Sequence, residues 1–513
     1  MKEDLVECSK GLNIPLTPVS FLERAATLYG DKVSIIYGDH VRFSWRQTYE
    51  RCLKLASALV NLGISHGDIV ATLAPNIPEQ YELHFGVPMA GAIISALNPK
   101  LDATTLAIIL EQLENCKIIF VDYEFIDSAL KATKLISQKK LMAPLIVLIQ
   151  DYDLLVKDLP QGSTGIPKGV VYSHRSVYLN SLATMTRFNV KSSSVFLWTV
   201  DMFRCNGWCF IWLMPVLGGT NICVRDNFSA KNISEAIYFH KVTHFCGAPI
   251  LLEIIANCDV IKPFSHKVSV TVAGVLPSFE ILNKVVEIGF DVNIGYGMTE
   301  VLGPVIVRKW KKNFDDDVTK LNYIEEGVID FMMVEFDVKE PNTMKSVPCD
   351  GKTIGEIMFK GNTLMLGYLK NSKVRDEAFR DGWYRTRDLG VRLPNGSFSL
   401  KDRAKDAIYC KGEFVSSLEV EGVLMNHPKV LKVAVVGGVC EGLVESPCAI
   451  VKLKDGCSAD VEDIVKFCEG HLDAHMVPKS VVFGDLPLNS TGKVQKFVIR
   501  EKITGNGWCD SIN

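Results

Sequence analysis

Five stretches of the chain combine glycine, small hydroxyl residues and charged side chains, the types that handle phosphate and sugar oxygens. The first is Gln161-Gly162-Ser163-Thr164-Gly165-Ile166-Pro167-Lys168-Gly169. Its small residues let a loop approach phosphates closely, the Ser163 and Thr164 hydroxyls can donate to them, and Lys168 adds positive charge. It is not a Walker loop, because Pro167 separates Gly165 from Lys168 and Gly169 stands where Ser or Thr is required. The second is Gly295-Tyr296-Gly297-Met298-Thr299-Glu300, with a ring to stack on a base, a hydroxyl for a phosphate and a carboxylate for Mg²⁺. The third, Tyr384-Arg385-Thr386-Arg387-Asp388-Leu389-Gly390, offers an acid suited to ribose hydroxyls. The fourth is Lys401-Asp402-Arg403-Ala404-Lys405-Asp406, followed by Lys411-Gly412-Glu413-Phe414. The fifth, Pro487-Leu488-Asn489-Ser490-Thr491-Gly492-Lys493, puts a lysine on a Gly-bearing loop near the C-terminus. Singly, each reads equally as a turn or a solvated linker; their order along one chain is what carries information.

The elements that must position them follow from hydrophobic patterning. Short apolar runs at Ile69–Leu73, Ala92–Ala96 and Lys117–Val121 alternate with helical patterns at Glu79–Ala90 and Ala103–Leu113. That alternation predicts a parallel sheet covered by helices. Val268–Val272 and Val292–Ile294 are further buried strands running into Gly-containing loops, the carboxyl-edge position where α/β folds bind ligands. Lys309–Asp317 is charged and reads as solvated surface. After Lys401-Asp402-Arg403 a smaller unit begins, with strands at Val430–Gly437 and Ala449–Leu453 and a helix near Val461–His471. We expect an α/β fold: a large N-terminal region of parallel-rich sheets and helices over residues 1–401, and a small mobile α+β domain over 402–513.

The 513 residues, 48% hydrophobic and 22% charged, suffice for more than one core. A net charge of −3 gives no electrostatic reason to expect nucleic acid or an anionic membrane as partner. Fifteen cysteines without a Cys-x-x-Cys pair read as buried thiols of an intracellular protein. The polar N-terminus has no signal-peptide core, and the apolar runs Val87–Leu97 and Trp208–Leu217 are too short to span a bilayer. The ending Cys509-Asp510-Ser511-Ile512-Asn513 does not match a Ser-Lys-Leu peroxisomal address, so the expected compartment is the cytoplasm, with the peroxisome as alternative.

Taken together and in order, the five motifs resemble the adenylate-forming superfamily of acyl-CoA ligases, luciferases and peptide-synthetase adenylation domains, from about Thr17 to Arg500. Phe203-Arg204-Cys205-Asn206-Gly207-Trp208-Cys209, Val242-Thr243-His244-Phe245-Cys246-Gly247-Ala248-Pro249 and Asn98-Pro99-Lys100-Leu101-Asp102-Ala103 narrow the likeness to plant acyl-activating enzymes. The resemblance implies that a small carboxylic acid is activated by ATP and Mg²⁺ and passed to CoA. It implies that Ser163, Thr164, Gly165 and Lys168 cradle the phosphates, and that Gly274, Tyr296 and Gly297 flank the adenine side. Thr299 would touch the α-phosphate, Glu300 the metal, and Asp388 and Arg403 the ribose. Lys405 would be the hinge, Lys411 and Gly412 would face CoA, and Lys493 would catalyse adenylation together with Thr299. Trp208 and His244 would border the acyl pocket.

The chain departs from the family pattern at three places. Arg204 replaces the usual His before the acyl pocket, and Arg387 replaces the Gly of Thr-Gly-Asp, a costly exchange if that Gly uses positive φ. Before the phosphate loop, Leu159-Pro160-Gln161 replaces Tyr-Thr-Ser, and roughly 30–40 residues that precede it in the family are absent. These departures define an alternative, a nucleotide-binding pseudoenzyme without turnover. A third reading is an adenylating enzyme with an acceptor other than CoA.

Overall fold

The computed structural model describes residues 15–149, 168–225, 229–258, 261–273, 277, 279–310, 323–324, 328–329, 333–440, 444–488 and 494–504. Ser163, Thr164, Gly165, Gly274 and Lys493 lie outside the described residues.

Among the described residues the large region is built on three main sheets and one short two-stranded pairing. In the first, Ile93–Ala96, Ile69–Leu73, Cys116–Asp122 and Leu145–Ile149 lie side by side, all parallel. All five residues of Ile69–Leu73 are buried, as expected of a strand covered on both faces. The helices between the strands are Pro78–Met89, Ala103–Gln112 and Ile126–Gln138, the first two within two residues of expectation at each end. Pro78 opens the first at the position where a missing N–H costs nothing, and Asp102 caps the second through the Thr104 and Thr105 amides.

The second sheet has nine strands among the described residues. Six parallel strands form its middle: Phe290–Met298, Val268–Ala273, His244–Gly247, Val195–Leu197, Thr220–Cys223 and Val33–Tyr37. Antiparallel strands Val41–Ser44 and Gly303–Lys309 flank it, and Val328–Ile329 pairs beyond the latter. Helix Cys205–Leu217 packs beneath it, buried on nearly every side. Phe210, Ile211, Leu213 and Met214 of this helix belong to the main hydrophobic core.

The third sheet is antiparallel and includes Val334–Lys339, Gly355–Gly361, Trp383–Arg392 and Phe398–Arg403. Its last strand stays paired through Arg403, which lies opposite Asp388. The antiparallel pairing thus runs through Arg403 before the chain leaves this sheet.

Beyond it, Val430–Cys440, Val444–Leu453 and Ser480–Phe483 form a three-stranded sheet with helices Ser417–Leu424, Val461–Glu469 and Lys496–Thr504. This unit has its own core, in which Val420, Leu424, Val435, Val451 and Ile464 are wholly buried. Ile464 and Cys468, one turn apart, are the buried face of the helix that Asp460 caps.

One surface reading needs correction. Lys309 is exposed and pairs with Asp291, but Trp310 is buried, its indole N–H donating to Asn283. The reading followed the charge run and overlooked the single ring in it. Residues 311–317 lie outside the described set.

Candidate active site

The site is built where strand Phe290–Met298 emerges from the nine-stranded sheet. The chain makes a tight 3₁₀ turn at Thr299–Val301 and returns as Gly303–Lys309. Two strands can approach this closely only without a side chain at Gly297, where a Cβ would sit 2.1 Å from the Gly303 carbonyl oxygen. Leu302 at φ 64 and Gly303 at φ 98 complete the reversal in left-handed conformations. Thr299 is left exposed and Glu300 half-buried at the carboxyl edge of the parallel strands.

Across from this turn stands the third sheet. The Tyr296 hydroxyl donates to Asp388 Oδ2 at 2.9 Å, and Arg403 Nε lies 3.3 Å from Asp388 Oδ1. The Asp388–Arg403 register brings the last two together, so three side chains distant in sequence meet at one carboxylate. Tyr296 packs its ring near Phe359 and Phe398, and burial followed by the Asp388 charge pushes its hydroxyl pKa upward, keeping it a donor. The ring expected to stack on a base thus also holds the Asp388 carboxylate.

Arg387, beside Asp388, has φ 63. The position does use the left-handed conformation, and an arginine occupies it. The strained peptide is held at both ends: the Arg387 amide donates to Glu356 Oε1 at 3.0 Å and its carbonyl accepts from the Ala404 amide at 2.9 Å. Glu356 is itself buried and paired with Arg385.

Glu300 accepts from the Tyr368 hydroxyl at Oε1, 2.8 Å away. Burial and then the Glu300 charge push the Tyr368 hydroxyl up to about 12, so it stays protonated as the donor. Lys168, at the end of the first motif, holds its ammonium 5.2 Å from the Tyr368 ring centroid. Tyr172 donates to the Thr299 carbonyl at 2.5 Å. The sequence reading missed Tyr172 and Tyr368: neither stands in a Gly/Lys pattern, and only the pairing of Val170–Val171 with Gly367–Tyr368 reveals them.

No group of three metal-ligating side chains occurs among the described residues. A single half-buried carboxylate beside an exposed hydroxyl is nonetheless a donor set that fits Mg²⁺, which takes one or two carboxylates and completes its shell with substrate phosphates and water.

On the acyl side, Trp208 lies 6.3 Å from Tyr172, 5.0 Å from His84 and 5.9 Å from Trp212 between ring centroids. This places it within one aromatic contact of the residue that holds Thr299. His244 does not join it. It lies at the amino end of its strand, in register with Ser269 and hence Asp291, whereas the site lies past Ala273 and Gly295. Four residues at ~3.3 Å each separate the two ends. Both His244 nitrogens are engaged locally, Nδ1 with Thr243 and Nε2 with the Phe188 carbonyl. The motif reading could not tell which end of the strand faces the ligand. Arg204 occupies the position before helix Cys205–Leu217 without a side-chain cap, and pairs with Asp201 at 2.8 Å.

At the junction, Lys405 is exposed and its carbonyl accepts from Arg500 of the last helix at 2.9 Å. Lys411 (φ 51) and Gly412 (φ 87) form the two-residue turn of the hairpin Ile408–Cys410 / Glu413–Val415, where both central residues need positive φ.

Among the described residues no helix is long and apolar enough to cross a membrane. The sequence model of the AMP-binding enzyme family matches residues 22–161 and 162–369, and that of the AMP-binding enzyme C-terminal domain matches 419–493. The chain is 41% identical to an acetate–CoA ligase of Humulus lupulus, over 97% of this chain and 96% of that one. It is 40% identical to a peroxisomal acetate/butyrate–CoA ligase of Arabidopsis thaliana, over 95% and 94%. It is 37% identical to a peroxisomal trans-cinnamate:CoA ligase of Petunia hybrida, over 100% and 98%. Among solved structures, an anthranilate CoA ligase in complex with anthranoyl-AMP shares the fold at TM-score 0.80 and 21% identity, over 96% of this chain and 98% of that one. ATP-bound MatB from Rhodopseudomonas palustris does so at 0.80 and 22%, over 94% and 98%. The chain belongs to the AMP-binding enzymes, the adenylate-forming superfamily, and within it to the acyl-activating CoA ligases.

Proposed function

We propose that the protein is an acid–thiol ligase working in two steps. A carboxylate oxygen of the acid attacks the α-phosphorus of ATP, the bond to the β-phosphate oxygen breaks, and pyrophosphate leaves. The CoA thiolate then attacks the carbonyl of the acyl-adenylate and AMP leaves. The observation that carries the reading is the meeting of Tyr296, Asp388 and Arg403 at one edge of the turn that presents Thr299 and Glu300. That is one adenosine-holding carboxylate beside one phosphate-facing turn.

Two anions must meet in the first step, so the site has to supply positive charge and directed donors. Bound Mg²⁺ would neutralise phosphate charge. Glu300 would hold it, Thr299 would donate to the α-phosphate, and Lys168 with Ser163, Thr164 and Gly165 would gather the remaining phosphate oxygens. Gly274 and Gly297 would border the adenine beside Tyr296, and Asp388 with Arg403 would take the ribose. Lys493 would serve the adenylation step. Lys405 would be the hinge between the region ending at Arg403 and the C-terminal unit, and Lys411 and Gly412 would face CoA in the second step. Trp208 would border the acid.

Acid-dependent exchange of pyrophosphate into ATP, measured over a panel from acetate to cinnamate, tests the reading. Exchange that depends on one class of acid is expected. Nucleotide binding with no exchange for any acid would return the pseudoenzyme, a reading that neither the intact set of described residues nor the relatives support.

A further inference from the structure

The segment Met365–Leu369 touches both phosphate-facing motifs at once. The Met365 amide donates to the Glu300 carbonyl at 2.9 Å. The Leu366 amide donates to the Val171 carbonyl at 2.7 Å and the Leu369 amide to the Gly169 carbonyl at 2.8 Å, so the chain leaving the first motif is zipped along this segment. At its centre, Tyr368 gives its hydroxyl to Glu300 and its ring face to the Lys168 ammonium.

We infer that Tyr368 is a positioning residue that sets the rotamer of Glu300 for the metal and fixes Lys168 relative to it. The reading rests on Glu300 as the metal-holding carboxylate. A half-buried glutamate with a free choice of rotamers must lose that freedom when it binds, and a hydrogen bond made beforehand removes part of the cost. One carboxylate oxygen is occupied by the tyrosine, which leaves Oε2 for the metal. The same ring limits where Lys168 can reach, because the attraction of an ammonium for an aromatic face falls away beyond about 6 Å from the centroid. Tyr368 thereby ties the spacing between cation and carboxylate to one rigid ring.

The test is calorimetry of a non-hydrolysable ATP analogue at varied Mg²⁺, with AMP in the absence of Mg²⁺ as reference. Tyr368→Phe keeps the ring and loses the hydroxyl. It should raise the Mg²⁺ concentration at half-maximal binding about 5–10-fold, the part of the glutamate's rotamer freedom that the bond had removed, and leave metal-free AMP affinity unchanged. Tyr368→Leu should in addition weaken the analogue without Mg²⁺, because Lys168 loses its support. In a Glu300→Gln background, Tyr368→Phe should add nothing, since its effect runs through that carboxylate. An unchanged Mg²⁺ midpoint in Tyr368→Phe, or an equal loss of metal-free AMP binding, overturns the inference. If Glu300→Gln alone leaves the midpoint unmoved, the metal role of Glu300 fails first and the inference falls with it. Should Tyr368→Phe not fold, the cycle is run with Tyr368→Trp, which keeps a ring and should shift the midpoint likewise.

Discussion

The proposed adenosine side and the proposed acyl side of the site are built on opposite plans. On the adenosine side, Asp388 already accepts from Tyr296 and has Arg403 3.3 Å away before any ligand enters. On the acyl side, buried polar atoms face each other's rings rather than each other's lone pairs. His84 Nε2, the Gln80 carboxamide and the indole nitrogens of Trp208 and Trp212 have no hydrogen-bond partner among the described residues. A pre-paired set binds one ligand in one way, which suits a nucleotide that never changes. An aromatic wall with spare polar atoms sets few conditions, which suits a pocket whose acid differs between relatives: acetate, butyrate or trans-cinnamate by their names.

The sharpest way to break this comparison is Asp388→Ala. It removes the buried acceptor shared by Tyr296 and Arg403, and AMP should bind about 100-fold more weakly, or ~3 kcal/mol. A loss under about threefold in calorimetry would mean that the trio is only structural packing.

The acyl side should show itself through acid. His84 donates from Nδ1 to the Gln80 carbonyl at 2.6 Å, and burial pulls its pKa down to about 4. The unfolded chain titrates near 6.5, so between about 6.5 and 4 the unfolded state binds the extra proton. Stability should be full above about 6.5 and fall as pH drops through that window, by an amount on the order of 3 kcal/mol. Denaturant melts at several pH values should show a flatter profile for His84→Gln. Identical profiles would mean that the ring is hydrated and not part of a dry wall.

Tyr296→Phe probes a single bond of the adenosine side. It should weaken AMP about 5–10-fold while leaving the fold intact, because Arg403 still holds Asp388. An effect as large as that of Asp388→Ala would shift the weight from the carboxylate to the ring.

The smallest effect belongs to Arg387→Gly. Relief of the left-handed arginine, less the added freedom of glycine in the unfolded chain, should stabilise by roughly 0.5–1 kcal/mol. Thermal unfolding is the measurement, and a destabilised variant would show that the arginine side chain repays its backbone.

Much of this was readable in the residues, for reasons that differ by region. Strands such as Ile69–Leu73 and Val268–Ala273 announce themselves because burial on both faces demands continuous apolar runs. On the proposed nucleotide side, close backbone approach leaves a mark at Gly297, whereas Asp388 and Arg403 came from motif order alone and only the fold shows them opposite each other on adjacent strands. The place of His244 at the amino end of its strand was not legible, because an apolar strand reads the same from either end. Tyr368 was invisible because its role depends on a two-residue pairing between segments nearly two hundred positions apart. Nothing local in Gly367-Tyr368 signals that contact.

The junction carries a kinetic consequence. Arg403 faces Asp388, while its neighbour Asp402 accepts from the Ser417 amide at 2.6 Å, at the start of the first helix of the C-terminal unit. Lys401 adds a pair with Glu419 on the same helix, 3.3 Å apart, and its carbonyl accepts from the Ser416 hydroxyl. Adjacent residues of one strand therefore grip two different bodies. If the proposed rotation begins at Lys405, the contacts of Asp402 with Ser417 and of Lys401 with Ser416 and Glu419 must all break, while Arg403 can stay beside Asp388. The joint would then act as a ratchet pawl rather than a free swivel, with a release that can be tuned at residues that touch no substrate.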